Sequence, residues 1–266
     1  MSTVETISVN GADIAVRIDG GEGRPWLVLS NSLAANYDSW DDQLALLTRD
    51  FRVLRYDTRG HGRSSAPAGP YTFGHLTGDV IGLMDHYAIA NATVLGLSMG
   101  GMTALGLAID HPDRVSRLIC CDARSDAIQP FIDNWTARIA SVEAAGNMEP
   151  IASFNKERWF TAPFREARPD VVQKATDMIL ATSTAGYIGC ARALQTLDYK
   201  RHLGRITCPT LFVCGAQDPA TPSAVMQEMA GLVPGSAFEL VDPGAHICNM
   251  ENPDGFNAIV GAWLAR

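Results

Sequence analysis

The chain predicts an α/β fold: eight strands in a mostly parallel, twisted sheet with helices on both faces, interrupted once by a helical block. Three observations lead there. Short apolar runs alternate with helix-period segments from Trp26 to Cys121 and again from Thr210 to Leu264, the pattern of parallel strands joined by crossover helices. Between about Asp126 and Leu203 only helical patterns occur, so this stretch reads as an insertion over the strand ends. The turn Gly96-Leu97-Ser98-Met99-Gly100 passes directly from a strand run into a small-residue helix run. A Cβ at either outer glycine would clash where the two arms pass.

The elements follow in order. Val4–Val9 and Ala12–Ile18 alternate around Asn10-Gly11, a strong hairpin signal. Trp26–Leu29 is a buried strand, followed by the small polar loop Ser30–Asn36 and a helix pattern over Asp38–Leu47. Phe51–Tyr56 is a strand ending in the turn Asp57–Ser64. Tyr71–Tyr87 has Leu76, Val80, Leu83, Met84 and Tyr87 on one helical face. Thr93–Leu97 and Met99–Asp110 form the strand and helix around the serine, and Val115–Cys121 is the next strand. The block holds helix patterns at Phe131–Ala145, Ile151–Phe160, Asp170–Thr182 and Ala185–Leu197, separated by Pro130, Gly146, Pro150, Pro163 and Pro169. Strand and helix then alternate through Thr210–Cys214, Ser223–Leu232, Ala237–Val241 and Pro253–Leu264. The predicted division is a core of residues 1–125 and 204–266 with a helical cap, or lid, over 126–203.

A length of 266 residues suits one large α/β domain with a modest insertion. The net charge of −8 disfavours nucleic acid and anionic membrane as partners. Met1–Asn10 lacks the basic and apolar regions of a secretory signal, and the apolar stretch Val94–Ile109 is broken by Ser98 and glycines. The six cysteines form no CxxC pair and no metal-ligand spacing, which points to a reduced, cytoplasmic setting. The expected partner is a small molecule.

A sharp strand-to-helix turn lifts a serine hydroxyl out of the sheet and leaves the first helix amides unpaired beside it. Ser98 is therefore the candidate nucleophile. It needs a base, and the base needs an orienting carboxylate. His246 follows the last strand in Asp242-Pro243-Gly244-Ala245-His246 and is the candidate base. Asp218 and Asp122 each follow a strand, and both give the order Ser…Asp…His. The Gly-x-x-Asp turn Gly215–Asp218 favours Asp218. The oxyanion would be carried by the Met99 N–H and by a donor from Asn31-Ser32-Leu33, with the Leu33 N–H the first choice. Such a set attacks an ester or lactone carbonyl, passes through an acyl-enzyme, and calls for no metal or organic cofactor.

Along nearly its whole length the chain resembles the α/β-hydrolase superfamily, and more closely the bacterial 3-oxoadipate enol-lactonases. The resemblance rests on Ser30-Asn31-Ser32-Leu33, Arg55–Gly62, Gly69-Pro70-Tyr71-Thr72, Gly96–Met102 and Glu157-Arg158-Trp159-Phe160-Thr161. It implies an α/β-hydrolase fold with a cap over the site, a triad of Ser98, Asp218 and His246, and hydrolysis of 3-oxoadipate enol-lactone in aromatic catabolism. The chain departs from the family pattern in Asp122–Phe131, where the family usually has a small neutral loop. An enol-lactone of this kind carries a carboxylate, so its pocket should hold a cation. Trp135 and Arg138 lie three apart on one face of the first cap helix, where an arginine can grip a carboxylate and an indole can wall the ring. Arg124 is a second candidate. A carboxylesterase or perhydrolase of the same fold, and a non-catalytic ligand receptor, are the competing readings.

Overall fold

The computed structural model describes residues 3–266. Met1 and Ser2, which open the polar N-terminal stretch and the predicted core segment, lie outside the described residues. The eight strands are β1 (Val4–Val9), β2 (Ala12–Asp19), β3 (Trp26–Ser30), β4 (Arg52–Tyr56), β5 (Ala92–Leu97), β6 (Val115–Cys121), β7 (Thr210–Gly215) and β8 (Ala237–Val241). They form one sheet in the order β1-β2-β4-β3-β5-β6-β7-β8. The pairs β1–β2 and β2–β4 are antiparallel, and the other five are parallel. The expected hairpin forms at Asn10 and Gly11, both at positive φ, as a two-residue turn requires. Strand β5 sits inside the sheet between β3 and β6, with all six residues buried. A strand covered on both faces is largely apolar, which is why its sequence shows no alternation.

The helices are α1 (Leu44–Leu47), α2 (Phe73–His86), α3 (Met99–Asp110), α4 (Gln129–Ala145), α5 (Glu149–Trp159), α6 (Ala162–Ala167), α7 (Pro169–Leu180), α8 (Thr184–Leu194), α9 (Ser223–Leu232), α10 (Cys248–Glu251) and α11 (Pro253–Leu264). Among the described residues, none is long and apolar enough to cross a membrane. Helix α2 starts two residues later than the pattern suggested, because Thr72 stands at its N-cap. The Thr72 hydroxyl accepts from the His75 N–H, and the His75 ring accepts from the Thr72 N–H, a reciprocal cap.

Two expectations need correction. The helix expected over Asp38–Leu47 is a 3₁₀ segment, Tyr37–Gln43, followed by the single turn α1. Tertiary bonds hold this segment: the Tyr37 N–H donates to Asp57 Oδ1 at 2.9 Å and Trp40 Nε1 donates to Asn31 Oδ1 at 2.9 Å. The insertion also holds a fifth helix, α6. Pro163 stands in the first turn of α6 and does not separate helices, because at that position its missing N–H costs nothing.

Candidate active site

The turn after β5 behaves as its sequence demands. A Cβ on Gly96 would stand 2.1 Å from the Gly100 carbonyl oxygen, and one on Gly100 would stand 2.1 Å from the Ser30 carbonyl oxygen. Strand β5, the first turn of α3 and the loop after β3 therefore touch backbone to backbone. Ser98 adopts φ 56°, ψ −117°, a conformation that residues with a Cβ rarely take and that is characteristic of strained functional turns. Its hydroxyl lies 2.9 Å from His246 Nε2, and His246 Nδ1 lies 2.8 Å from Asp218 Oδ2. The three residues come from loops after β5, β7 and β8, 148 residues apart at the extremes.

Each loop is pinned. Asp218 Oδ1 accepts from the Ala220 N–H at 2.7 Å, which leaves Oδ2 for the imidazole. The His246 loop passes so close to the end of β7 that a Cβ on Gly215 would stand 2.1 Å from the Ala245 carbonyl oxygen. His246 is 6% exposed and Asp218 is also buried. Burial disfavours the imidazolium, but the charge and hydrogen bond of Asp218 outweigh it, so the His246 pKa is raised above its ordinary 6.5.

Asp122, the competing carboxylate, is fully buried and takes no part in this chain of bonds. Its carboxylate accepts from the Gly215 N–H at 2.7 Å and pairs with Cys248 Sγ at 3.0 Å. Complete burial, and then the nearby Asp218, push its pKa up to about 8, with His246 pulling the other way. Asp122, Cys214 and Asp218 also place ligand-type atoms within 4.8 Å of one another. Each is already engaged: Asp122 by Gly215, Cys214 by the Thr221 carbonyl and Asp218 by His246. All six cysteines are free.

The oxyanion candidates sit on touching segments, since Gly100 abuts the Ser30 and Asn31 carbonyls. The Met99 N–H is the first of α3 and has no acceptor inside the helix. Among the described residues, neither it nor the Leu33 N–H meets an acceptor. Asn31 fixes their loop by donating to the Tyr56 carbonyl at 2.6 Å and accepting from Trp40, while Ser30 bonds the Tyr56 hydroxyl at 2.7 Å. The bonds of Asn31 with Trp40 and Tyr56 were not foreseen from the sequence. Polar side chains flanking a buried strand end are the only local hint of such a role.

Trp135 and Arg138 do share a face of α4. The Arg138 guanidinium stacks 4.3 Å from the Trp135 ring centroid and 4.8 Å from that of Phe154. It donates from Nε to the Tyr187 hydroxyl at 2.9 Å and from Nη2 to Asn155 Oδ1 at 2.7 Å. Among the described residues no carboxylate pairs with it, and burial lowers its pKa. Trp135 Nε1 is buried without an acceptor among them. Tyr187, Asn155 and Phe154 could not be found from the sequence, because they lie on α8 and α5 with no local link to Arg138. Arg124 is engaged by its own loop instead. Its Nε donates to the Asp126 carbonyl at 2.6 Å and its guanidinium covers the Phe131 ring at 4.3 Å.

The profile of the alpha/beta hydrolase fold matches residues 25–253. The chain belongs to the alpha/beta hydrolase family. Within this alpha/beta hydrolase family it is 38% identical over 264 residues to 3-oxoadipate enol-lactonase 2 of Acinetobacter baylyi, covering 99% of this chain and 96% of that one. The enol-lactonase from Burkholderia xenovorans LB400 superposes with a TM-score of 0.95 at 39% identity, covering 98% and 100% of the two chains. A malate-bound thermophilic esterase from Thermogutta terrifontis superposes with a TM-score of 0.90 at 28% identity, covering 99% and 98%. Family membership and these relatives place the chain among ester and lactone hydrolases.

Proposed function

We propose that the protein hydrolyses a carboxylic ester or lactone through an acyl-enzyme on Ser98, and that its substrate is 3-oxoadipate enol-lactone, in aromatic catabolism. The observation that carries the chemistry is the unbroken line of hydrogen bonds from Ser98 through His246 to Asp218. In this reading His246 Nε2 takes the hydroxyl proton as Ser98 Oγ attacks the carbonyl, and Asp218 stabilises the imidazolium. The Met99 and Leu33 amides receive the oxyanion. Collapse of the tetrahedral intermediate breaks the lactone C–O bond, with the proton passing from His246 to the leaving oxygen. A water, deprotonated by the same imidazole, then cleaves the acyl-enzyme and restores Ser98.

Residues 126–203 act as a cap in this reading, and Arg138 holds the substrate carboxylate. Three features support that role: a guanidinium with no carboxylate partner among the described residues, a fixed orientation against Trp135 and Tyr187, and the unpaired Trp135 Nε1 beside it. Buried donors are ordinarily paired, and a bound carboxylate would supply the acceptor.

Assay with the enol-lactone beside neutral p-nitrophenyl esters tests the substrate. A kcat/KM above ~10⁴ M⁻¹s⁻¹ for the lactone is the range of an enzyme on its own substrate. Efficient turnover of the neutral esters with no lactone cleavage would replace the lactonase reading by a carboxylesterase one. Arg138→Ala is expected to raise KM for the anionic lactone ~10–100-fold, the loss of a charge-assisted hydrogen-bonded contact. It should leave a neutral ester within about twofold; equal effects on both substrates would remove Arg138 from substrate binding. The pH profile follows from the direction of the His246 shift. The base must be neutral to act, so kcat/KM is expected to fall as pH drops through a pKa above 6.5. An acid limb centred below that value would contradict the Asp218–His246 coupling.

A further inference from the structure

The stretch Arg158-Trp159-Phe160-Thr161 joins the end of α5 to the start of α6, and it grips both loops that carry the partners of Ser98. Arg158 Nη2 donates to the carbonyl of Pro219 at 3.0 Å, one residue after Asp218. The Ile247 N–H, one residue after His246, donates to the carbonyl of Trp159 at 3.2 Å. Thr161 donates from its N–H at 3.0 Å, and from its hydroxyl, to Glu251 Oε1. Glu251 Oε2 accepts from the N–H of Ala245 at 2.7 Å, one residue before His246. His246 is thus bracketed by two amides whose acceptors are a carbonyl of the helical block and a carboxylate tied to that block.

Glu251 is 6% exposed and closes the one-turn helix α10, which follows the His246 loop directly. Its carboxylate serves two backbone amides and a hydroxyl, and no cation pairs with it among the described residues. A carboxylate in that position does what a shorter or neutral side chain cannot: it accepts from two chain segments at once, with charge-assisted bonds that favour one spacing. The residues around His246 are small, Gly244 and Ala245, and they offer the loop little packing of their own. Gln217 holds Gly244 to the β7 side through bonds of 2.8 Å in both directions. The amides next to His246 itself are left to Glu251 and Trp159.

We propose that Glu251 and the 158–161 segment are positioning elements for the base. The His246 imidazole is aligned on Ser98 only while this segment is seated, so displacing the helical block to admit substrate or release product also disengages the base. This rests on the assignment of His246 as the base. Its consequence is that the site is assembled by closure, with the Asp218 loop tied to the block through Arg158 and the His246 loop through Trp159 and Thr161.

The test compares Glu251→Ala, Glu251→Gln and Thr161→Val with the parent, using p-nitrophenyl butyrate as the neutral ester. The active serine is counted by the stoichiometry of a covalent phosphonate label, so that loss of folded protein does not register as loss of rate. For Glu251→Ala, kcat per labelled site is expected to fall ~10–100-fold with KM within about threefold, the signature of a misplaced catalytic group. The acid limb of kcat/KM should move to lower pH, because an imidazole loosened from Asp218 loses the interaction that raises its pKa. Glu251→Gln, which keeps one acceptor oxygen, should recover part of both effects. If Glu251→Ala does not fold, Thr161→Val carries the test with a fall of roughly two- to fivefold and the same direction of limb shift. Unchanged kcat per labelled site and an unchanged limb, whatever the change in Tm, overturn the proposal. A parent protein that neither takes the label nor cleaves the ester is a different failure, that of the hydrolase assignment itself.

Discussion

Ser98→Ala is expected to lower kcat for any ester or lactone substrate at least ~10⁴-fold, with the folded structure intact. In the proposed mechanism this removes the nucleophile and leaves the Met99 and Leu33 amides, the helical block and the imidazole in place, so substrate binding should survive and KM should change little. The stability cost is small, ~1 kcal/mol or less, because only the bond from Oγ to His246 is lost at a partly exposed hydroxyl. Ser98→Gly should be the more stable of the two variants by ~1 kcal/mol, since alanine keeps the Cβ at φ 56° and glycine does not. Initial rates on the parent's best substrate and urea midpoints decide both points. Residual turnover within tenfold of the parent would show that the serine is not the nucleophile.

Gly100→Ala is expected to destabilise the protein by ~3 kcal/mol or more, at the upper end of what overpacking costs, because the new methyl group meets backbone and has no flexible side chain to displace. It would stand 2.1 Å from the Ser30 carbonyl oxygen and 2.8 Å from that of Asn31. The strain falls on the loop that carries Leu33, so turnover should fall too, even at temperatures where the variant is folded. Gly231→Ala is the matched control. It lies in α9 with nothing within 4 Å of the added carbon, and helix propensity alone should make it neutral to slightly stabilising. Chemical denaturation of the pair measures the difference. A Gly100→Ala midpoint matching that of the control would mean that the tight approach of the loop after β3 to α3 is absent in solution.

Much of this site could be read along the chain because its chemistry is carried by short, local patterns. A strand, a Gly-x-Ser-x-Gly turn and a helix specify the geometry at Ser98 within about a dozen residues. The loops after β7 and β8 carry Asp218 and His246 because consecutive parallel strands share one carboxyl edge. Where the reading strayed, local pattern met long-range bonding. The segment Tyr37–Gln43 has a helical pattern but is drawn into a 3₁₀ turn by Asn31 and Asp57. Pro163 looks like a breaker unless it is known to stand in the first turn of a helix.

By itself, then, the sequence determined the alternation of strands and helices, the run of helices between β6 and β7 and the Gly-x-Ser-x-Gly turn, since each depends on residues within one turn or one strand of each other. Which of Asp122 and Asp218 reaches the His246 ring is visible only in the tertiary structure. Both follow adjacent strands at the same edge, but the Asp122 carboxylate is taken up by Gly215 and Cys248, while Asp218 Oδ2 meets the imidazole. The structure alone also brings Tyr187 and Asn155 to Arg138, and Glu251 to Thr161. These pairs are separated by 49, 17 and 90 residues, and hydrogen bonds between such distant positions leave no periodic trace in the chain.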